Sequence, residues 1–455
     1  MVDGKMKKRR SRRTTTTSSS SAAKVDKDSE QSNQRKIRIR MYRIGFGDCF
    51  LLSLPAENGE GAGLYSHHIL IDCGVHAQGD IGTMEKVVDN IAEVTNRKLE
   101  IIIATHAHRD HIYGFGKFAD VFSKFKVGEI WLPWTWDENN EEALKLQKKH
   151  AALTDKLLQH FQALGASADP DALNAVVNVA GNQHAIQLLK SGFGNDKVKV
   201  RYLKAGDTLK PGDISIIPSL LAHVLGPPQS KDFLAQMNPP SGQSYLRAGP
   251  NGTIELVNAV QPFGRRWKAD NAAAAASSTY LRLSPEEEKQ LQDLSRSSIN
   301  DLAFALDQAR NNESLVILFI FCNKYLLFAG DAQYGNWRWW LENERSSGDI
   351  LSKINFFKIA HHGSHNATPK AALEKMAEGE FAAMVSTQSK PWKSIPRVPL
   401  MSRLDEKTKK RIVRSDWLSV EGAPEPLPNT VPTLPSKLPE GFSKGDLWFD
   451  YIIEV

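Results

Sequence analysis

The feature that most constrains this chain is the stretch Thr105–Phe115, which reads T-H-A-H-R-D-H-I-Y-G-F. Three of the 13 histidines and one aspartate fall within six residues: His106, His108, Asp110 and His111. The apolar run Leu99–Ala104 before them predicts a buried strand, and Gly116–Phe125 after them predicts a helix. The cluster is therefore expected at the carboxyl end of a strand, where open α/β sheets bind ligands.

The spacing of these side chains indicates metal binding. Alternate residues of an extended segment point the same way, so His106 and His108 can offer two imidazoles to one cation. Asp110 and His111 begin the next turn and can reach a second cation. Two cations about 3.5–4 Å apart can clamp the attacking and leaving oxygens of a hydrolysis. A surface loop that is merely rich in histidine is the alternative, and the preceding apolar strand disfavours it.

Three further apolar segments also end in polar residues of the types that bind metals. H-I-L-I-D-C-G ends at Asp72, K-Y-L-L-F-A-G-D ends at Asp331, and F-F-K-I-A-H-H-G-S-H-N contains His361 and His362. Near the start of the ordered chain, G-F-G-D-C-F-L-L contains Asp48, which alone is equally well explained as a turn-capping residue.

These motifs together resemble those of the metallo-β-lactamase superfamily, whose signature H-x-H-x-D-H is matched by H-A-H-R-D-H. G-F-G-D, N-N-E-S-L-V, G-D and H-H-G-S are similar to one branch, which includes the metallo-β-lactamase domain of ComEC-type DNA-uptake proteins and bacterial phosphorylcholine esterases. The resemblance runs from about residue 37 to 404. It implies an α/β fold, an αββα sandwich of the metallo-β-lactamase type with helical insertions.

The resemblance also implies roles for individual residues. It implies metal ligands at six positions: His106, His108, Asp110, His111, Asp331 and His362. Asp331 would bridge two divalent ions, with Zn²⁺ expected and Mn²⁺ as the alternative. Asp110 and His361 are the candidates for moving protons, although the roles of His361 and His362 could be exchanged.

The same resemblance implies residues that support the metal ligands, and one further ligand whose identity is open. Asp72, Asp48 and Asn311 are expected to support the ligands rather than to bind metal. The superfamily usually has one more histidine for the first metal. His223 lies on the expected segment, and the sequence leaves open whether it completes that site.

The implied function is a metal-dependent hydrolase with a binuclear site and a bridging hydroxide. The branch favours a phosphodiester substrate, with nucleic acid as one candidate. The alternatives are a carboxylic ester, a thioester or a lactam as substrate, or a non-catalytic binding protein on the same fold. A di-iron redox protein is disfavoured, because that class typically has glutamate where this chain has His108.

Composition defines the organisation of the chain. Residues 1–36 hold eleven Lys/Arg and four Asp/Glu, so the net charge of +6 comes from this tail, which is predicted to be disordered and could contact nucleic acid. The hydrolase domain is predicted at 37–404, with an insertion at 226–310 and an extension at 405–455 that packs on it. The oligomeric state is not indicated.

The cysteines and the hydropathy pattern bear on location. Cys49, Cys73 and Cys322 are far apart, which predicts no disulfide framework and favours a reducing, cytoplasmic compartment. No apolar run approaches the length of about 20 residues that a membrane span needs. Among the other elements, helices are predicted at Gly79–Asn96, Glu141–Leu164 and 171–192.

Overall fold

The computed structural model describes most of the chain from residue 35 onward. The described residues are 35–56, 65–79, 81–195, 197–214, 216–240, 242–245, 299–344, 346–388, 392, 395–417 and 437–455. Residues 1–34 of the predicted tail and most of the predicted insertion lie outside them. Arg35–Val455 form one compact unit.

The first sheet has eight strands in the order β14-β15-β1-β2-β3-β4-β5-β6. Its strands are β1 Lys36–Tyr42, β2 Phe50–Leu54, β3 His67–Ile71, β4 Lys98–Ile103, β5 Lys126–Pro133, β6 Lys199–Leu203, β14 Phe442–Lys444 and β15 Trp448–Glu454. Strands β1 to β3 pair antiparallel, and β3 to β6 pair parallel. Strand β15 pairs antiparallel with β1, so the end of the chain adds a strand beside the opening hairpin.

The second sheet has seven strands in the order β13-β12-β11-β10-β9-β8-β7. Its strands are β7 Thr208–Leu209, β8 Leu221–Gly226, β9 Val316–Phe321, β10 Lys324–Phe328, β11 Ile354–Lys358, β12 Ala382–Val385 and β13 Ile412–Arg414. Strands β7 to β10 pair antiparallel, and β10 to β13 pair parallel.

Helices cover the outer faces of both sheets. They are α1 Met84–Val94, α2 Arg109–Lys117, α3 Ala119–Phe122, α4 Glu141–Leu164, α5 Pro170–Val179, α6 Gln183–Lys190, α7 Lys231–Leu234, α8 at 299–311, α9 Tyr334–Asn343, α10 Ser347–Ser352, α11 Lys370–Leu373 and α12 Val398–Lys407. None of the helices in the described part of the chain combines the length and the apolar composition of a membrane span.

Three predicted helices differ from those observed. The helix predicted at Gly116–Phe125 begins earlier, at Arg109, because Ile112 and Phe115 pack into the core against the first sheet. Core packing here outweighs the low helix propensity of two glycines. The helix predicted at 171–192 is broken at 180–182, and the helix predicted at Gly79–Asn96 is shorter, spanning α1 only.

The alternation of apolar side chains explains the layers. In β1, Ile37, Ile39 and Met41 face the core between the two sheets, whereas Tyr42 faces the outer helices. In β11, Phe356 joins the same central core and Phe357 packs against the outer helices of the second sheet. Both sheets therefore bury two faces, and the architecture is an αββα sandwich.

The parallel halves of the two sheets determine where polar loops converge. The loops that follow β3 and β4 carry Asp72 and Thr105, and those that follow β10 and β11 carry Asp331 and His361. A backbone hydrogen bond of 2.9 Å from Leu315 N to Thr105 O joins the two sheets at this edge. The segments that carry the predicted site residues therefore meet at one edge of the sandwich.

Candidate metal centre

The loop after β4 brings two histidines into the interior. His106 and His108 are 0% and 1% exposed, and their ring centroids are 4.6 Å apart. The Nε2 atoms of both are buried and make no hydrogen bond. Two buried imidazole nitrogens without partners are costly unless a ligand occupies the space between them.

The first turn of α2 supplies the next two side chains. Backbone N–H groups of His111 and Ile112 donate to His108 O, each at 3.1 Å, which starts the helix within the cluster. Asp110 and His111 therefore belong to the helix, whereas the sequence predicts them in a turn before it. Gly74 allows this close packing, since a Cβ there would lie 2.2 Å from His111 N.

Asp72 holds the loop and the helix together. Its Oδ1 accepts from the Thr105 N–H and its Oδ2 accepts from Thr105 Oγ1, both at 2.7 Å. The same Oδ2 lies 2.7 Å from His111 Nδ1. This contact fixes the ring so that Nε2 points toward the other cluster residues, which is the geometry that the expected supporting role of Asp72 requires.

The second sheet contributes Asp331 and His362. Asp331 Oδ2 lies 3.2 Å from His111 Nε2 and 3.1 Å from His362 Nε2. Asp110 Oδ2 lies 3.3 Å from His362 Nε2, and His362 Nδ1 donates to Ser386 O at 2.7 Å. Gly330 permits the approach of the two sheets, because it has φ 51° and a Cβ there would lie 3.0 Å from that of Thr105.

These distances fit one cation. Four ligand atoms lie within 4.8 Å of one another, from Asp110, His111, Asp331 and His362. Nitrogen and oxygen ligands that bind one zinc ion at about 2.0–2.2 Å in a tetrahedron lie about 3.3 Å apart. Histidine and carboxylate form the donor set that zinc and manganese accept. The residues present therefore suit a divalent cation.

The charges of the cluster favour the same conclusion. Burial lowers the pKa of His106 well below its usual range and the pKa of His108 to about 3, so both rings are neutral. Burial also opposes charge on His362, but the carboxylates of Asp331 and Asp110 raise its pKa to about 10. The buried carboxylates are thus stable only beside a compensating positive charge, which a divalent cation would supply.

Lys358 is a buried residue of the cluster that the sequence analysis did not identify. Its Nζ donates to Gly330 O at 2.8 Å, lies 3.4 Å from Asp331 Oδ1 and forms an ion pair with Asp48. Burial alone would lower the pKa of Lys358, but Asp48 and Asp331 raise it. The available signal was a single lysine in the apolar run F-F-K-I-A.

Asp48 is therefore more than a turn cap. It is 1% exposed, and besides the ion pair with Lys358 its Oδ2 lies 3.7 Å from His111 Nδ1. Its backbone N–H donates to Asp110 O at 2.8 Å. The structure places this carboxylate behind the ligand cluster, where it balances Lys358.

His361 lies beside the cluster and has partners on both ring nitrogens. Its Nδ1 lies 3.2 Å from Asn366 Oδ1, and its Nε2 lies 3.2 Å from Asn311 Nδ2. His361 and His362 both have left-handed backbone angles, with φ 45° and 52°. This uncommon conformation for two consecutive non-glycine residues sends the two imidazoles in different directions.

His223 is not brought to this cluster. It lies on β8 between Ala222 and Val224, which both belong to the core between the sheets, so His223 faces the outer helices. Its Nδ1 lies 3.1 Å from Thr208 Oγ1. His223 is therefore not positioned as the additional ligand that the family resemblance implies.

Comparisons with known proteins agree with this architecture. Residues 66–172 match the family model of the metallo-beta-lactamase superfamily, and this range includes Asp72 and the four residues of the histidine cluster but not Asp331 or His362. With the αββα sandwich, the match defines a metallo-β-lactamase fold.

The comparisons with solved structures and with curated proteins give no information on function. The metallo-beta-lactamase fold protein YhfI from Bacillus subtilis is a structural match at 10% sequence identity, covering 83% of this chain and 96% of that chain with a TM-score of 0.33. A search of curated proteins found no match.

Proposed function

We propose that this chain is a metal-dependent hydrolase with a binuclear centre that cleaves phosphodiesters. The observation that carries the proposal is a set of buried ligand atoms without hydrogen bonds at the meeting edge of the two sheets: His106 Nε2, His108 Nε2, Asp110 Oδ1, His111 Nε2 and His362 Nε2. Divalent cations bound there would lower the pKa of water and offset the charge of a phosphoryl oxygen.

The side chains divide into two sets. His106 and His108 would hold one cation, and Asp110, His111 and His362 the other. Asp331 contacts the second set directly and lies between the ends of both sheets, which suits the bridging role that the family resemblance implies for it. A carboxylate suits this position because its two oxygens can serve two cations.

The remaining residues would orient the site and move protons. Asp72 and Ser386 O fix the rings of His111 and His362 through their Nδ1 atoms. Lys358 holds Asp331 in place. His361, held by Asn311 and Asn366, presents an imidazole next to the cluster and is the candidate proton carrier. Asp110 is the second candidate for this task.

The choice of a phosphodiester rests on the motifs. G-F-G-D, N-N-E-S, G-D and H-H-G-S resemble a branch whose members act on such bonds, whereas the fold itself also serves esters, thioesters and lactams. An aromatic group adjoins the cluster, with Phe46 4.0 Å from His362 and 5.1 Å from Trp392 between ring centroids. Phe46 is buried, so Trp392, the partly exposed ring of this pair, could contact the organic part of a diester, including a nucleobase.

The test combines metal content with hydrolysis of bis-(p-nitrophenyl) phosphate by the full chain. We expect about two cations per chain and turnover in the wild type. Asp331→Asn should lose turnover and bound metal, whereas Asp349→Asn, an exposed site on α10, should retain both. Bound metal with turnover of p-nitrophenyl carboxylic esters alone would overturn the phosphodiester assignment. A wild type that binds no divalent metal would overturn the hydrolase proposal.

A further inference from the structure

The cation proposed for His106 and His108 has these two histidines and the shared carboxylate of Asp331 as protein ligands. Catalytic zinc sites usually have three protein ligands and leave one position for water or substrate. The group formed by Asp110, His111, Asp331 and His362 accounts for the second cation, and His223 faces away. The first cation therefore lacks a carboxylate of its own, and a side chain near His108 could supply one.

Asp307 on α8 is such a side chain. Its Oδ1 lies 3.6 Å from His108 Nε2, and both atoms are buried and make no hydrogen bond. Its side chain is 14% exposed. This separation is close to the distance of about 3.3 Å expected between two ligand atoms of one tetrahedral zinc ion.

The surroundings hold Asp307 in this direction. Asn311, one turn later on α8, donates from Nδ2 to Asp307 Oδ2 at 3.4 Å, and the same Nδ2 lies 3.2 Å from His361 Nε2. Residues four apart lie on the same face of a helix, so α8 presents both side chains to the cluster. Asn311 thus ties the Asp307 carboxyl to the histidine that is the candidate proton carrier.

The helix itself is fixed by packing against its neighbours. Ala303 and Leu306 are buried against Leu157 and Phe161 of α4 and Val176 of α5. These contacts anchor α8 to the two helices beside it. The position of Asp307 is therefore determined by packing. This packing leaves the buried Oδ1 without a hydrogen bond, which is energetically unfavourable.

We infer that Asp307 is a further protein ligand, beside the shared Asp331, of the cation held by His106 and His108, a conclusion that rests on the proposed binuclear hydrolase. Each cation then has two imidazoles and one carboxylate of its own, with Asp331 between them. The extra negative charge favours a divalent ion that accepts oxygen ligands, such as Zn²⁺ or Mn²⁺. Helix α8, within the segment predicted as an insertion, thereby becomes part of the metal centre.

The first experiment measures metal binding without substrate. Full-length wild type, Asp307→Asn and the matched control Asp301→Asn, an exposed position on the same helix, are stripped of metal and titrated with Zn²⁺. We expect two ions per chain in the wild type and the control. Asp307→Asn should retain one ion and bind the other at least about tenfold more weakly.

A double variant separates ligation from indirect effects. If His108 and Asp307 bind the same ion, His108→Gln combined with Asp307→Asn should lose no more affinity than the stronger single variant, because the two effects are not additive. Additive losses would overturn the inference. Two ions bound with wild-type affinity by Asp307→Asn would also overturn it, while leaving the hydrolase proposal intact.

A measurement on the wild type covers the case in which Asp307→Asn does not fold. Amide hydrogen exchange of residues 303–311 should slow when Zn²⁺ is added, because the ligand ties α8 to the centre. Unchanged exchange in α8, with slower exchange in α2, would contradict a role for Asp307. A wild type that binds no Zn²⁺ would defeat the proposed function together with this inference.

Discussion

Asp72 Oδ2 and His111 Nδ1 lie 2.7 Å apart in the interior, and this contact aims His111 Nε2 at Asp331. Partners of this kind fix the orientation of a ligand ring, and their loss typically costs about 10–100-fold in metal affinity. We expect Asp72→Ala to weaken binding of Zn²⁺ by this factor, measured by competition with a chromophoric chelator. Asp349→Ala is the control, and equal affinities of Asp72→Ala and wild type would contradict the role.

Lys358 provides the second prediction, which concerns stability. Removal of one partner from a buried ion pair leaves an uncompensated charge and typically costs about 3–5 kcal/mol. Lys358→Met in the metal-free protein should lower the free energy of unfolding by this amount, because Asp48 loses its counter-charge. Urea denaturation measures the change.

A second substitution tests this explanation for Lys358. Adding Asp48→Asn to Lys358→Met removes the orphaned carboxylate and should recover part of the lost stability. A double variant less stable than Lys358→Met alone would show that the ion pair is not the cause.

His361 and His362 can be told apart by their effects on binding and turnover. His362 Nε2 lies 3.1 Å from Asp331 Oδ2, whereas both ring nitrogens of His361 face asparagines. We expect His362→Gln to lose bound metal. His361→Gln should keep its metal and lower kcat for bis-(p-nitrophenyl) phosphate by about 10²–10⁴-fold, the usual contribution of a general acid or base. The opposite pattern would exchange the two roles.

The sequence was sufficient to predict that the candidate site residues that follow an apolar strand lie near one another. His106, Asp331 and His362 each stand just after such a strand, and parallel neighbours place their carboxyl ends at one edge. The central layers were equally predictable, because β4 and β11 are short apolar runs with flanking turn residues.

The sequence was insufficient where contacts join distant segments. Asp307 lies almost 200 residues after His108, in a helix whose sequence shows only the amphipathic spacing of apolar residues. Lys358 reads as one polar residue in a strand, and its function depends on two carboxylates from other loops. The predicted start of α2 was wrong for a related reason. Ile112 and Phe115 pack against segments that are distant in the sequence, and local helix propensity takes no account of such contacts.

The last prediction concerns pH and lies away from the metal centre. His68 on β3 is 7% exposed, with Nδ1 3.0 Å from Ser53 Oγ, and burial lowers its pKa to about 4 although Glu100 opposes this. In the unfolded chain the pKa of histidine is about 6.5. Between about pH 4 and about pH 6.5, His68 is therefore protonated in the unfolded state and neutral in the folded state. This group therefore makes stability fall as pH drops from about 6.5 to about 4, by on the order of 3 kcal/mol across the window.

His68→Gln removes the titrating group and should flatten this part of the stability profile relative to the wild type. Free energies of unfolding in urea, taken from about pH 7 to about pH 4.5, measure the difference between the two curves and cancel the contribution of the carboxylates. His184→Gln, at an exposed position on α6, is the matched control and should follow the wild-type curve. Parallel curves for His68→Gln and the wild type would mean that His68 takes up its proton equally in the folded and unfolded states.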